Sequence, residues 1–541
     1  MGINAMQMPQ RIHTVAGKQG VFKKYSTYVL LLSLLLATSA NQAFFSHLME
    51  LYSWSRDTGF MVSVTVLLVT VQAFFFSLLN LLLPARLLAV FLLLVAAGCT
   101  YFANKFGAII DADMVRNLVE TDIAEASDLI STGLMLHMLG FAVMPAVVML
   151  VLPYRPQSWL QERWQAGKTG CVSVVLIVLA IMPFSDQYAS FFRQHKSIRY
   201  WINPVYPLYS IFEYGKNSLP KTQRILESSG SYASIAADNN VRKVVVMVVG
   251  ETARADHFSL NGYQRETNPR LSQLGDIISF RSIYSCGTST AISVPCMFSF
   301  MGREGFDVNE SRWHENVLDV VKKAGVNVVW LDNNSGSKRV ADRVEFQDYS
   351  SADKNLVCDP ECRDLGMLSG VKDYIESHDG DILIVLHQMG SHGPAYYKRY
   401  PEAFEQFKPA CHTQELQECS EQEIINAYDN TILYTDYFLS QTINLLKQYE
   451  SRLDTTMIYV SDHGESLGEN GIYLHGMPYL FAPDVQKNVP LIIWSGKHSG
   501  IDQGKTIAIS KKPGSHDSLT GTILDLFNVK TDAIRKAYPP L

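Results

Sequence analysis

Asp462 and His463 stand side by side at the end of an apolar run, in Tyr-Val-Ser-Asp-His-Gly-Glu-Ser-Leu-Gly-Glu-Asn-Gly (459–471), and His475 follows shortly after. A hard carboxylate next to an imidazole at a strand end is a metal-ligand pair. Far upstream, Glu251 opens Gly-Glu-Thr-Ala-Arg-Ala-Asp-His directly after another apolar run. Alone, an acid there serves a helix N-terminus as readily as a metal. With Asp462 and His463 it completes a borderline-hard donor set suited to Zn²⁺, and less well to Mn²⁺. Between the two lies Ser-Cys-Gly-Thr-Ser-Thr-Ala (285–291), whose hydroxyls Thr288, Ser289 and Thr290 precede an expected helix. Free N–H groups at a helix start favour a phosphate-like anion. A hydroxyl held there by a metal loses its proton more easily and becomes a nucleophile; without a metal the same hydroxyls only cap the helix. Taken together the residues describe a metal-dependent group-transfer site.

The elements that must position them are legible from about residue 241 onward. Near-continuous β-branched and aliphatic runs at 244–249, 326–331, 382–386, 457–460 and 489–494 alternate with helical stretches. Strands buried on both faces read this way, and their alternation with helices implies an α/β domain with a mostly parallel sheet. In such sheets functional groups gather beyond the strand carboxyl ends. Glu251, Asn333 and Asn334, His387 and His392, and Asp462 with His463 all sit there.

The first ~190 residues are of another kind. Segments near 25–45, 60–83, 86–103, 131–152 and 170–187 are each close to bilayer length and apolar. They are expected to span a membrane, the first as an uncleaved anchor. The tail carries Arg11, Lys18, Lys23 and Lys24, and the connection with Arg155, Arg163 and Lys168 is also basic, whereas the stretch 105–130 is acidic. The positive-inside rule puts the tail in the cytoplasm and everything after residue 187 outside it. Residues 191–240 form a connector whose first part, with Arg193, His195, Lys196, Arg199, Tyr200 and Trp201, suits either the lipid headgroup layer or a plain linker. Residues 241–541 are then a soluble catalytic domain. The net charge of −6 on 541 residues gives no argument for a nucleic-acid partner.

Cysteines agree with an external location. Cys99 and Cys171 fall in apolar segments, and the other six form close pairs, Cys286/Cys296, Cys358/Cys362 and Cys411/Cys419. Sequence proximity favours local bridges, which persist in an oxidising compartment such as a periplasm. A cysteine-rich zinc site would call for paired Cys-x-x-Cys spacing, which these residues lack.

The chain resembles the lipid A phosphoethanolamine transferases, the group containing the mobile colistin-resistance enzymes, within the alkaline phosphatase–sulfatase superfamily. The motifs that carry the resemblance are 248–257, 285–291, Asp-Asn-Asn-Ser-Gly-Ser-Lys (332–338), His-Gln-Met-Gly-Ser-His-Gly-Pro-Ala-Tyr (387–396) and 459–471. It implies that Thr290 is the nucleophile, with Glu251, Asp462 and His463 completing a zinc site around it. It further implies that His392 and His475 bind phosphate, handle protons or hold a second zinc. Asn334, Ser335, Lys338 and Glu465 would line the donor site. Asn117, Thr121 and Glu125 would meet the donor headgroup, and their spacing of four puts them on one helix face. The implied partners are phosphatidylethanolamine as donor, lipid A as acceptor and membrane lipids, acted on by a monomer in the bacterial inner membrane whose catalytic domain is periplasmic. The implied outcome is polymyxin and colistin resistance. A related transferase with another glycan acceptor, a sulfatase-type hydrolase and an inactive membrane scaffold are the rival readings. The hydrolase would need Cys or Ser where Thr290 stands.

Overall fold

Five valines in the run Lys243–Gly250 are fully or almost fully buried, and each contributes on the order of 1.5–3 kcal/mol by leaving water. A strand of that kind requires cover on both faces, and the computed structural model supplies it. The structure describes residues 24–121, 123–152, 154, 158–219, 225–236, 241–359, 361–533 and 540–541, with the side chains of 123–125 excepted. Arg11, Lys18, Lys23 and Arg155 of the charge argument, and the side chain of Glu125, lie outside the described residues.

The chain divides into two units. One comprises residues up to Thr100 with His137–Val205; the other comprises Tyr101–Leu136 and Tyr206–Leu541.

The first unit is helical. Trp54–Leu79, Ala85–Phe106, Thr132–Val151 and Trp159–Gln194 are long and apolar enough to cross a membrane. A fifth span is formed if the bent pair Tyr25–Ser39 and Gln42–Leu51, at 62°, counts as one. The break in that first run is made by Asn41. Its buried amide donates to Leu36 O at 2.9 Å and to Asn203 O at 2.7 Å, competing with the helical ladder. The last helix begins eleven residues earlier than expected from apolarity alone, at Trp159 rather than near residue 170. Arg163 and Lys168 are therefore helical. They lie over the Trp159 and Trp164 rings at 4.1 and 5.0 Å, as basic and aromatic groups do at a headgroup layer.

The second unit is built on an eight-stranded sheet. In chain order its strands are β1 (Lys243–Gly250), β2 (Ile277–Tyr284), β3 (Asn327–Asp332), β4 (Glu345–Asp348), β5 (Ile382–His387), β6 (Asp454–Ser461), β7 (Asn488–Ser495) and β8 (Gly514–Ser515). Their spatial order is β8-β2-β7-β6-β1-β5-β3-β4. The central strands β6, β1, β5 and β3 run parallel, and only β7 is antiparallel to both of its neighbours. Separate apolar cores cover the two faces, one around Ile384, Tyr428 and Ile432, the other around Met247, Trp330 and Ile458. The long helix Glu421–Lys447 packs on the first face and starts from a capping box of Ser420 and Glu423. The parallel register sets Gly250 level with Ser461 and Val249 level with His387, so the residues just past these strands meet at one edge.

Candidate active site and metal centre

Glu251, Asp462 and His463 converge at that edge. All three side chains are fully buried, and their ligand atoms lie within 4.8 Å of one another. His463 Nε2 is 3.4 Å from Glu251 Oε1 and 3.4 Å from Asp462 Oδ2. The local backbone is specialised for this meeting. Thr252 takes φ +51° just after Glu251 and donates its N–H to Asp462 Oδ1 at 3.2 Å. Gly390 has φ +53°, and a Cβ there would come within 2.9 Å of Glu251 O, so only glycine admits so close an approach. No helix starts at Glu251, which removes the capping reading of that acid.

The donor set fits a divalent cation. His463 Nδ1–H donates to Gly464 O at 2.9 Å, which leaves Nε2 as a lone pair pointed between two carboxylates. Asp462 Oδ2 has no hydrogen-bond partner among the described residues. Burial, reinforced by the Asp462 charge, pushes the Glu251 carboxyl up to about 7, and burial pushes Asp462 up to about 7 as well. Burial and then the His475 charge hold His463 well below its ordinary value, so it stays a neutral ligand. Convergent buried anions and a lone pair repel each other; a bound cation reverses the sign.

Thr290 is the first residue of the helix Thr290–Met297, with Ser289 at its N-cap. Its Oγ donates to Glu251 at 3.1 and 3.2 Å and lies 3.3 Å from His463 Nε2. Thr288 is spent elsewhere, donating to Met477 O at 2.6 Å. Of the three hydroxyls, then, Thr290 is the one that the structure brings to the cluster. Ser293, one turn on, donates to Asp462 O at 2.5 Å and ties the helix to the strand end.

Around this centre the other candidates take distinct places. Asn334 donates its amide to Glu251 Oε2 at 2.9 Å and to Gln388 O at 2.7 Å, and so orients the carboxylate. The His475 ring stands 4.4 Å from His463 and 5.6 Å from His392. Burial works against its charged form, but Glu465 at 3.2 Å outweighs that and holds His475 above its ordinary value. Glu465 is itself fully buried behind His475. Asn117 and Thr121 line a mostly apolar cavity of about 140 Å³ with Phe102, Phe106, His392 and His475. Ser335 and Lys338 line a separate one.

Two expectations are corrected. Asn117, Thr121 and residue 125 do not share one helix face, because the helix Ala112–Glu120 ends before Thr121. Thr121 takes extended backbone, and its hydroxyl donates to Asn117 O at 2.6 Å. His387 does not join the cluster either. It is fully buried with Nδ1 2.8 Å from Asp332 Oδ1, and that carboxylate also accepts from Trp330, Asn334 N–H and Gly336 N–H. This pair builds the 332–338 loop.

Other positioning residues were not singled out from sequence. His516 Nδ1 accepts from Cys286 N–H at 3.1 Å, so its Nε2–H donates to Ser461 O at 3.0 Å. It joins the Thr290 loop to β6, and burial pushes it down to about 3, which keeps it neutral. Arg399 Nε donates to His392 O at 2.7 Å, while its guanidinium meets Asp128 at 2.5 Å and Glu361 at 2.6 Å. A histidine in a C-terminal loop and an arginine between two carboxylates carry no local motif. The pairs Cys286–Cys296, Cys358–Cys362 and Cys411–Cys419 are all bridged, with Cα–Cα distances of 6.0, 3.8 and 5.8 Å.

Comparison with known proteins agrees with this architecture. Residues 68–219 match the family described as Phosphoethanolamine transferase EptA/EptB, and residues 243–529 match the Sulfatase family. The chain is 42% identical over 518 residues to phosphatidylethanolamine transferase Mcr-2 of Escherichia coli, covering 93% of this chain and 95% of that protein. It is 41% identical over 532 residues to Mcr-1 of Escherichia coli, covering 95% and 97%. Among solved structures it superposes on the integral membrane lipooligosaccharide phosphoethanolamine transferase A of Neisseria meningitidis with a TM-score of 0.89 at 34% identity, covering 94% of this chain and 97% of that one.

Proposed function

The chain belongs to the phosphoethanolamine transferase family, and from that premise we propose that it moves phosphoethanolamine from phosphatidylethanolamine to a phosphate of lipid A. The observation that carries the reading is the Thr290 hydroxyl, 3.1–3.3 Å from Glu251 and His463 at the head of a helix. Zn²⁺ suits the ligand set Glu251, Asp462, His463 and Thr290; when bound it lowers the pKa of the hydroxyl and offsets charge on the phosphoryl oxygens.

In the first half-reaction Thr290 Oγ attacks the donor phosphorus and the bond to the glycerol oxygen breaks. The carboxylate oxygens of Glu251 are the nearest acceptors for the threonine proton. The departing diacylglycerol oxygen takes a proton from His475, which Glu465 favours in its charged form. Thr290 then holds phosphoethanolamine as a phosphodiester. In the second half-reaction an oxygen of a lipid A phosphate attacks that phosphorus, and Thr290 Oγ leaves and regains its proton. His475 is reprotonated from solvent, so one proton is consumed per turnover. The helix N-terminus holds the phosphoryl oxygens throughout. The apolar cavity beside His392 and His475 suits the glycerol and acyl end of the donor.

On this reading the catalytic part, from about residue 241, stands in the periplasm. The spans lie in the inner membrane and the N-terminus in the cytoplasm. Each ethanolamine ammonium offsets a lipid phosphate charge, so cationic peptides bind the surface less well and polymyxin resistance follows. Mass spectrometry of lipid A from cells with and without the gene tests the reading: an added phosphoethanolamine mass is expected. Thr290→Ala should remove both that mass and the protein adduct seen in the intact enzyme. Unmodified lipid A with the wild-type gene expressed would overturn the assignment.

A further inference from the structure

The helix that carries Thr290 presents its other face to a second cavity, of about 490 Å³, lined in part by Ala291, Pro295 and Ser299. Its charge is largely of one sign. Arg116, Arg312, Lys338, Arg339 and Arg343 reach it, against Glu120 and Glu315. Arg343 is answered by Asp319 at 2.6 Å, and Glu315 is engaged by Lys323 at 2.7 Å. Among the described residues that leaves four cations facing Glu120, whose approach to Arg116 is 4.0 Å, at the outer limit of an ion pair.

Three of these cations, Arg116, Arg312 and Lys338, are held by uncharged groups, the last by the carbonyl and hydroxyl of Ser335. Arg116 is 4% exposed, and its Nε has no hydrogen-bond partner among the described residues. Arg116 and Arg312 share the amide oxygen of Asn309, at 3.2 and 2.7 Å. The Arg339 side chain makes no hydrogen bond or ion pair among the described residues, and only its backbone carbonyl is engaged, by Asp342 N–H at 3.4 Å. Lys338 and Arg339 are consecutive and both left-handed, at φ +49° and +72°, a conformation that costs side-chain-bearing residues energy and recurs at ligand sites. Burial, and then the charges of Arg339 and Arg116, hold the Arg312 guanidinium below its ordinary value. Like charges gathered on one wall, with one buried donor unanswered among the described residues, are the pattern of a polyanion site.

We propose that this basic cavity is the acceptor subsite: it takes the phosphorylated sugar of the second substrate and not the phosphatidylethanolamine donor. The inference rests on the transfer reading above and names which substrate goes where. Charge decides between the two. The donor brings an ammonium group, which guanidinium groups repel, and the apolar start of its acyl chains, which an apolar cavity accepts. Such a cavity is present beside His392 and His475, lined by Phe102, Phe106, Ile110 and Leu118. The acceptor brings phosphate on a polar sugar, and Arg forks match phosphate oxygens in pairs. Ser335 and Lys338, which the family resemblance groups with the donor, line the basic cavity.

The test separates the half-reactions in the full-length enzyme in detergent, using fluorescent phosphatidylethanolamine as donor and purified lipid A as acceptor. Diacylglycerol release and the Thr290 adduct, measured without acceptor, report the first half; the KM for lipid A reports the second. Arg339→Glu and Arg312→Gln are made separately. Arg339 is exposed, so its variant should fold normally. Each change is expected to raise the lipid A KM by roughly tenfold or more, the size of one charge-assisted phosphate contact. The KM for the donor and the yield of adduct should stay near wild type. Glucosamine 1-phosphate should compete with lipid A and not with the donor, and more weakly in Arg339→Glu. A lipid A KM unmoved in both variants overturns the proposal, as does an equal loss in the two half-reactions. Absence of a Thr290 adduct in the wild type would instead sink the underlying reading, and the wild-type sample alone detects it.

Discussion

Asn334→Ala distinguishes two roles for one side chain. The family resemblance places Asn334 on the donor; the structure has it holding Glu251. Its amide donates to Glu251 Oε2 at 2.9 Å and is itself fixed by Gln388 O at 2.7 Å. With the amide gone, that carboxylate oxygen keeps only the Thr290 hydroxyl, at 3.1 Å. A hydrogen bond to a buried charge contributes about 1.5–3 kcal/mol. Loss of a group that orients a metal ligand weakens ion binding by about 10–100-fold, which is the same energy expressed as affinity. Zinc affinity of the full-length enzyme, measured by competition with a chromogenic chelator, should fall within that range. Adduct formation should recover when Zn²⁺ is raised in proportion. Zinc affinity within twofold of wild type, together with lost transfer that added Zn²⁺ does not restore, would refute the orienting role and return Asn334 to the donor.

Removing the ion with a strong chelator should abolish the Thr290 adduct and lower Tm. An ion present at a hundred times its Kd stabilises the folded state by about 2.7 kcal/mol, and re-addition of Zn²⁺ should restore both. Asp128→Asn should destabilise the enzyme by on the order of 3 kcal/mol in chemical denaturation, because it leaves Arg399 and Lys398 short of a partner. Burial opposes the Asp128 charge, but Arg399 and Lys398 outweigh it and hold this carboxyl below its ordinary range. A depressed carboxyl adds stability above its unfolded value and loses it as pH falls through the folded value. The gap between wild type and Asp128→Asn should therefore close only in strongly acid solution, as a pH series of Tm would record. His516→Ala strips partners from Cys286 N–H and Ser461 O and should cost about 2–4 kcal/mol; a wild-type denaturation midpoint in this variant would count against its tying role.

What the sequence disclosed of the sheet follows from burial. β1, β3, β5, β6 and β7 are covered on both faces and read as unbroken apolar runs. β2 alternates buried and half-exposed residues around Arg281, and β4, Glu345–Asp348, is a polar edge strand, so neither stands out by hydropathy. Metal candidates were readable because the parallel register forces strand ends together, whatever their separation in sequence. Thr121 was not, because a helical spacing of four carries no sign that one hydroxyl will turn on its own backbone.

Arg399 illustrates the kind of coupling that neither period nor motif can express. Asp128 lies in the short helix Ile123–Asp128, within the stretch between two membrane-spanning helices. Through the Arg399 guanidinium it reaches Arg399 Nε, which holds the carbonyl of His392. Glu361, between the bridged Cys358 and Cys362, grips the same guanidinium from another side. A guanidinium with two carboxylates and a carbonyl around it has little freedom to shift alone. The same stretch also supplies Ile110, Met114 and Leu118 to the apolar cavity, where His392 and His475 form part of the lining. The cavity proposed for the lipid end of the donor and the backbone of a histidine beside the metal centre therefore share one support. A change in this stretch would be felt first as a misplaced histidine, with the three metal ligands on their own strand ends left where they are.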